Sequence, residues 1–215
     1  MGRGWWVAAA SLCLTGCISP RNERVQDYNA DGIWLFQQGQ YARAGEDFQA
    51  ALALKPNDAS LAYNLGECCH RRGAFAEAER YYSQCLQADM NHAPCRFALA
   101  SLLVQTGRPA EAARLAQDWL TRDPKSADAY ALDGWYAHQA GDLPRAQARL
   151  QQALELEPHN ERALVEMGLV YEAMQRPERA RALYERVLED NPEQQAVKKR
   201  NEFLLTNGTK RPQLD

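Results

Sequence analysis

Small and apolar side chains recur along this chain at a single interval. Gly32, Gly66, Ala100, Gly134 and Gly168 stand 34 residues apart, and Ala44, Ala78, Ala112, Ala146 and Ala180 keep the same spacing. Pro56, Pro124, Pro158 and Pro192 share the register, with Met90 in the remaining place, while Gly39, Gly73, Gly107 and Gly141 mark a turn inside each copy. A fixed period of this length is the signature of stacked helical repeats.

The first copy, 25–58, predicts a helix, a glycine turn, a second helix and a proline stop. Phe48 and Leu52 sit at helical spacing and form an apolar stripe. Pro56 lacks the N–H that would continue the second helix. Small residues at Gly32 and Ala44 let the two antiparallel helices approach closely. One hairpin leaves its outer faces uncovered, so the copies 25–58, 59–92, 93–126, 127–160 and 161–194 must stack into a superhelix with a groove along its inner side. Residues 195–206 predict a capping helix with Val197, Leu204 and Leu205 inward and Lys198, Lys199 and Arg200 outward. A polar tail, 207–215, is expected to be disordered.

The N-terminus follows a different pattern. Arg3 precedes an apolar run from Trp5 to Leu14, and Leu14-Thr15-Gly16-Cys17 comes next. The run is about half the ~20 residues that span a bilayer, so it predicts a cleavable export signal over 1–16 and no transmembrane helix. The four residues ending at Cys17 resemble the bacterial lipobox, which implies acylation of Cys17, membrane anchoring and a tether over 17–24 reaching about 25 Å. In a cell with two membranes, Ile18 and Ser19 after Cys17 imply the outer one, facing the periplasm.

From Val25 to about Gln194 the residues resemble the tetratricopeptide repeat family. The resemblance implies an all-α, right-handed superhelical solenoid of five helix-turn-helix hairpins with a C-terminal capping helix. It also implies that first helices line a concave groove for a protein or peptide ligand, formed by Asn29, Ile33, Phe36, Tyr63, Asn64, Glu67, His70, Phe97, Ser101, Val104, Ala131, Trp135, His138, Val165, Leu169 and Glu172. Several positions depart from the family pattern. Asp31 and Asp133 replace leucine, Arg96 an aromatic and Gln175 a turn glycine, and Ala116 and Trp119 exchange large and small places. These departures predict irregular packing of the third unit around Trp119. The family's lysine and asparagine clamp for a peptide carboxylate is missing, since Asn29 and Ile33 occupy the corresponding places.

Charge narrows the list of partners. A net charge of -3 arises from 28 acidic and 25 basic residues mixed along the chain, which leaves no basic stripe for nucleic acid. No phosphate loop, His-Glu-x-x-His helix or Gly-x-Ser-x-Gly elbow occurs, so neither a catalytic site nor a cofactor is read. Glu77, Glu79, Arg80, Arg145 and Arg149 read as a solvated outer face. Cys68, Cys69, Cys85 and Cys95 permit disulfides in an oxidising compartment or buried free thiols, and no Cys-x-x-Cys spacing announces a metal. The whole predicts a non-catalytic, membrane-anchored scaffold of the cell envelope. Its layout resembles pilus-assembly lipoproteins, and the alternative is an accessory regulator docking a peptidoglycan hydrolase or envelope protease.

Overall fold

The computed structural model of the protein describes residues 20–207, so Cys17 and the signal segment lie outside the described residues. Eleven α-helices and no strand occur among them. The order is α1 (Pro20–Gln37), α2 (Tyr41–Leu54), α3 (Ala59–Arg71), α4 (Phe75–Ala88), α5 (Ala93–Gln105), α6 (Pro109–Arg122), α7 (Ala127–Gln139), α8 (Leu143–Leu156), α9 (Glu161–Ala173), α10 (Pro177–Asp190) and α11 (Gln195–Asn207). Helices pair as hairpins, each second helix packs on the next first helix, and α3, α5, α7 and α9 also touch one another. This is the all-α repeat solenoid the spacing requires. No helix of the described residues is long and apolar enough to cross a membrane.

One geometric rule closes the hairpins. The residue sixteen places after each small first-helix residue drops its side chain onto it: Phe48 on Gly32, Tyr82 on Gly66, Leu150 on Gly134 and Tyr184 on Gly168. A Cβ at Gly66 would lie 2.6 Å from the Tyr82 ring, so the ring fills the space the glycine leaves. In the third unit Ala100 meets the small Ala116, and Trp119, 2% exposed, fills the core three residues later. Arg96, also buried, stacks its guanidinium 4.7 Å from the Trp119 ring centroid and donates to the Met90 carbonyl at 2.6 and 2.9 Å. The expected irregularity is thus an Arg–Trp stack where another unit has an aromatic and a small residue.

First helices begin on a second series of the same period. Asp58, His92, Ser126 and Asn160 each accept from a backbone N–H three residues on, satisfying a donor that the first turn leaves open. The intra-hairpin turns need a left-handed residue. Gly39, Gly73, Gly107 and Gly141 have φ of 73 to 78°, and Gln175 adopts 58° without the freedom of glycine.

Three expectations are corrected. α1 starts at Pro20, so residues 20–24, read as tether, are helical. Leu205 is exposed while Val197 and Leu204 pack inward, because a helix of this register turns Leu205 away from α10. Arg145 and Arg149, read as solvated, hold the buried carboxylate of Asp133: Arg145 lies 2.5 Å from Oδ1, and Arg149 Nε lies 2.8 Å from Oδ2 in charge contact without hydrogen-bond alignment. Asp133 is 2% exposed, and burial of its charge requires those partners.

Candidate concave binding surface

First helices place their inner faces side by side, and their i, i+3, i+4, i+7 side chains become a continuous lining. At the N-terminal end Ile33, Phe36, Gln37, Phe48, Tyr63, Asn64 and Glu67 enclose a pocket of about 220 Å³. That is below the ~300 Å³ at which small-molecule sites begin, and it suits a side chain of a longer partner. Asn64 Nδ2 donates to Asn29 Oδ1 at 3.3 Å, joining α3 to α1 and leaving amide groups on the rim. Ile33 is 41% exposed and Trp34 58% exposed beside it.

Tyr63 and Glu67 are shared with a second, more polar pocket, formed with Phe97, Ser101, Trp135, Arg162 and Glu166. Glu67, His70 and Ser101 also line a third that opens toward Phe75 and Gln105. Val165, Arg162 and Glu166 continue into a fourth with Asp128, Asn160 and Gln194. Of the predicted lining, Ile33, Phe36, Tyr63, Asn64, Glu67, His70, Phe97, Ser101, Trp135 and Val165 border this row of depressions, whereas Val104, Ala131 and His138 border none of them.

Individual residues differ in how free they are. Phe97 is 6% exposed beneath the Arg162 guanidinium. Ala131 is fully buried, and Val104 and Trp135 are half-buried against the central core. Leu169 is half-buried on α9. Glu67 accepts from Tyr82 Oη at 2.6 Å, and burial with that bond pushes the Tyr82 phenol above its ordinary range. His70 shares a 2.7 Å hydrogen bond with Gln105 Oε1. His138 Nδ1 stands 3.8 Å from Glu166 Oε2, both atoms buried and neither hydrogen-bonded. Glu172 is half-buried and engaged, accepting from Tyr184 Oη and Arg200 Nε at 2.5 Å each. Ile33, Phe36, Tyr63, Asn64, Ser101 and Trp135 border the depressions with part of their surface open, although Asn64 is tied to Asn29 and Trp135 leans on the core.

Arg162 and Glu166 were not read from the sequence as part of the lining. Counting back three residues from Val165 on the same helix face reaches Arg162, so helical spacing carried that signal. The cysteines resolve as a Cys85–Cys95 disulfide between α4 and α5 and two buried free thiols, Cys68 and Cys69. A ring nitrogen of His92 and the two disulfide sulfurs all lie within 4.8 Å of one another.

Comparison with known proteins agrees with this architecture. A tetratricopeptide repeat family model matches residues 70–134 and 137–199, and a second model of the same description matches 32–93. A thermophilic TPR protein of Thermus thermophilus superposes with a TM-score of 0.67 at 22% identity, covering 85% of this chain and 99% of that one. PilF of Pseudomonas aeruginosa gives 0.57 at 18% identity, with 87% of each chain covered. Among curated proteins, the O-mannosyl-transferase Tmtc3 of Drosophila melanogaster is 26% identical over 121 residues, 56% of this chain. The chain spans only 13% of that relative's length, so the match concerns a repeat region.

Proposed function

The chain belongs to the tetratricopeptide repeat family, and from that premise we propose that it is a non-catalytic, lipid-anchored scaffold that captures a protein partner in the bacterial cell envelope. The observation that carries this reading is the row of depressions along the first helices, apolar around Ile33, Phe36 and Tyr63 and rimmed by the Asn29 and Asn64 amides. Aromatic walls supply buried area at little entropic cost, and exposed amides supply hydrogen bonds to a peptide backbone.

Anchoring rests on Leu14-Thr15-Gly16-Cys17. α1 starts three residues after Cys17, which would hold the groove close to the bilayer surface. The envelope process we assign is assembly of a pilus or secretion machine. The combined layout of lipobox, short tether and five repeats supports it, and the likeness to PilF agrees at the level of fold. Cell fractionation tests the anchor: the unaltered chain should sediment with membranes and Cys17→Ala should become soluble. A Cys17→Ala chain that stays with membranes would overturn it.

A further inference from the structure

The four cysteines of the described chain cluster in and between the second and third units, and the binding surface uses none of them. Cys85 opens the last turn of α4, in the place that Ala51, Ala153 and Val187 hold in other units. Cys95 lies in the first turn of α5, three residues after the cap His92. His92 Nδ1 accepts from the Cys95 N–H at 3.3 Å, so the ring presents an unprotonated nitrogen toward the turn that carries Cys95. Both sulfurs are buried, the ring is half-buried, and the two sulfurs and a ring nitrogen of His92 fall within 4.8 Å of one another. Tetrahedral zinc, with Zn–S of about 2.3 Å and Zn–N of about 2.0 Å, sets its ligands roughly 3.5–3.8 Å apart. The two sulfurs are bonded to each other, so this geometry becomes available only once the S–S bond is broken and the side chains turn apart, which the Cα–Cα distance of 6.6 Å allows.

We infer that Cys85, His92 and Cys95 form a Cys2His clip for a thiophilic divalent cation such as Zn2+, available when the cysteines are reduced and closed by their disulfide when they are oxidised. Opening the clip needs a dithiol reductant. It delivers two electrons and two protons, the S–S bond breaks, two S–H bonds form, and the reductant becomes a cyclic disulfide. Zinc then displaces both thiol protons, forming two Zn–S bonds and one Zn–N bond, with water in the fourth position.

Either state ties α4 to α5, so the junction of the second and third units stays stapled across a change of redox conditions. The His92 ring also lies 5.6 Å from the Tyr63 ring on the concave face, so whichever clasp is closed fixes that wall of the groove.

Equilibrium dialysis of the full-length chain against Zn2+ tests this. One portion is left oxidised, and the other is reduced with dithiothreitol and freed of it without oxygen. The reduced chain should hold one more zinc than the oxidised chain. Cys85→Ser and Cys95→Ser should lose that zinc, and Cys68→Ala should keep it. His92→Asn, which preserves a capping oxygen, should weaken binding more than about tenfold, beyond the loss of an outer-shell partner. Should Cys85→Ser fail to fold by circular dichroism, Co2+ added to the unaltered reduced chain decides the matter, with thiolate-to-cobalt charge-transfer absorption expected. Equal zinc in both redox states, zinc retained by a folded Cys85→Ser chain, or cobalt without thiolate absorption would each overturn the clip.

Discussion

The guanidinium of Arg162 on α9 stacks 4.0 Å from the ring centroid of Phe97 on α5, joining the first helices of the fifth and third units across the concave face. A solenoid that depended on nearest neighbours alone would have no such contact, and this one limits how far the groove can open. Arg162 is exposed, and cation–π contacts of that kind contribute about 0.5–1 kcal/mol. Arg162→Ala should therefore lower unfolding free energy by about 0.5–1 kcal/mol, with Arg162→Lys losing less. Urea denaturation checks it, and an unchanged midpoint for Arg162→Ala would mean that the stack does not hold the groove.

Gln175 occupies a turn that the other four units give to glycine. A left-handed L residue costs roughly 1–2 kcal/mol, and glycine gives back part of that gain as chain entropy. Gln175→Gly should stabilise the fold by about 0.5–1 kcal/mol in thermal unfolding, and Gly73→Ala should destabilise it by a similar amount.

Asp133 is buried where the repeat favours leucine, and its charge is matched by Arg145 and Arg149. Removing one partner strands part of that charge. Arg145→Ala should cost roughly 1–2 kcal/mol, less than the ~3–5 kcal/mol of a wholly buried pair because water reaches the guanidinium. Asp133→Leu should be neutral or stabilising, by up to about 4 kcal/mol. A large loss of stability in Asp133→Leu would assign the carboxylate a structural role that packing does not supply.

The fold should weaken in alkali. Burial pushes the Cys68 thiol up to about 12 from its ordinary 9.0, and burial with carboxylate hydrogen bonds raises the Tyr82 and Tyr184 phenols. Folded-state values above unfolded ones mean that the unfolded chain releases these protons first. Their stabilisation is complete below about pH 8 and declines as pH climbs toward the folded values. The urea midpoint should fall between about pH 8 and about pH 10.5, and Tyr82→Phe should fall less steeply. A midpoint independent of pH over that range would contradict the buried, protonated state of these groups.

Element order and the hairpin packing were legible because a period of 34 leaves one way to bury the stripes of Phe48, Tyr82, Leu150 and Tyr184. The position of Trp119 was also readable as an anomaly, though its pairing with Arg96 was not, since the stack joins residues 23 apart in sequence. The salt bridges to Asp133 escaped notice because charges on a second helix look alike whether they face water or curl back over a buried carboxylate. On the concave face, the family resemblance put Tyr63 and Trp135 on first helices, and α3 and α7 carry them. It could not separate Ser101, open to the groove, from Glu172, which the phenol of Tyr184 and the cation of Arg200 hold in place. The sequence left the cysteine pairing open, and it is the packing of α4 on α5 that sets Cys85 against Cys95.

The most direct test of the central claim places photoreactive groups, one at a time, at Tyr63, Asn64 and Trp135 on the concave face and at Gln117 and Gln152 on exposed outer positions, in living cells, with the captured protein identified by mass. The same partner should be captured from all three concave positions and from neither outer one, and a pilus or secretion subunit would also establish the assembly role. Capture from the outer positions alone would contradict the groove as the binding surface.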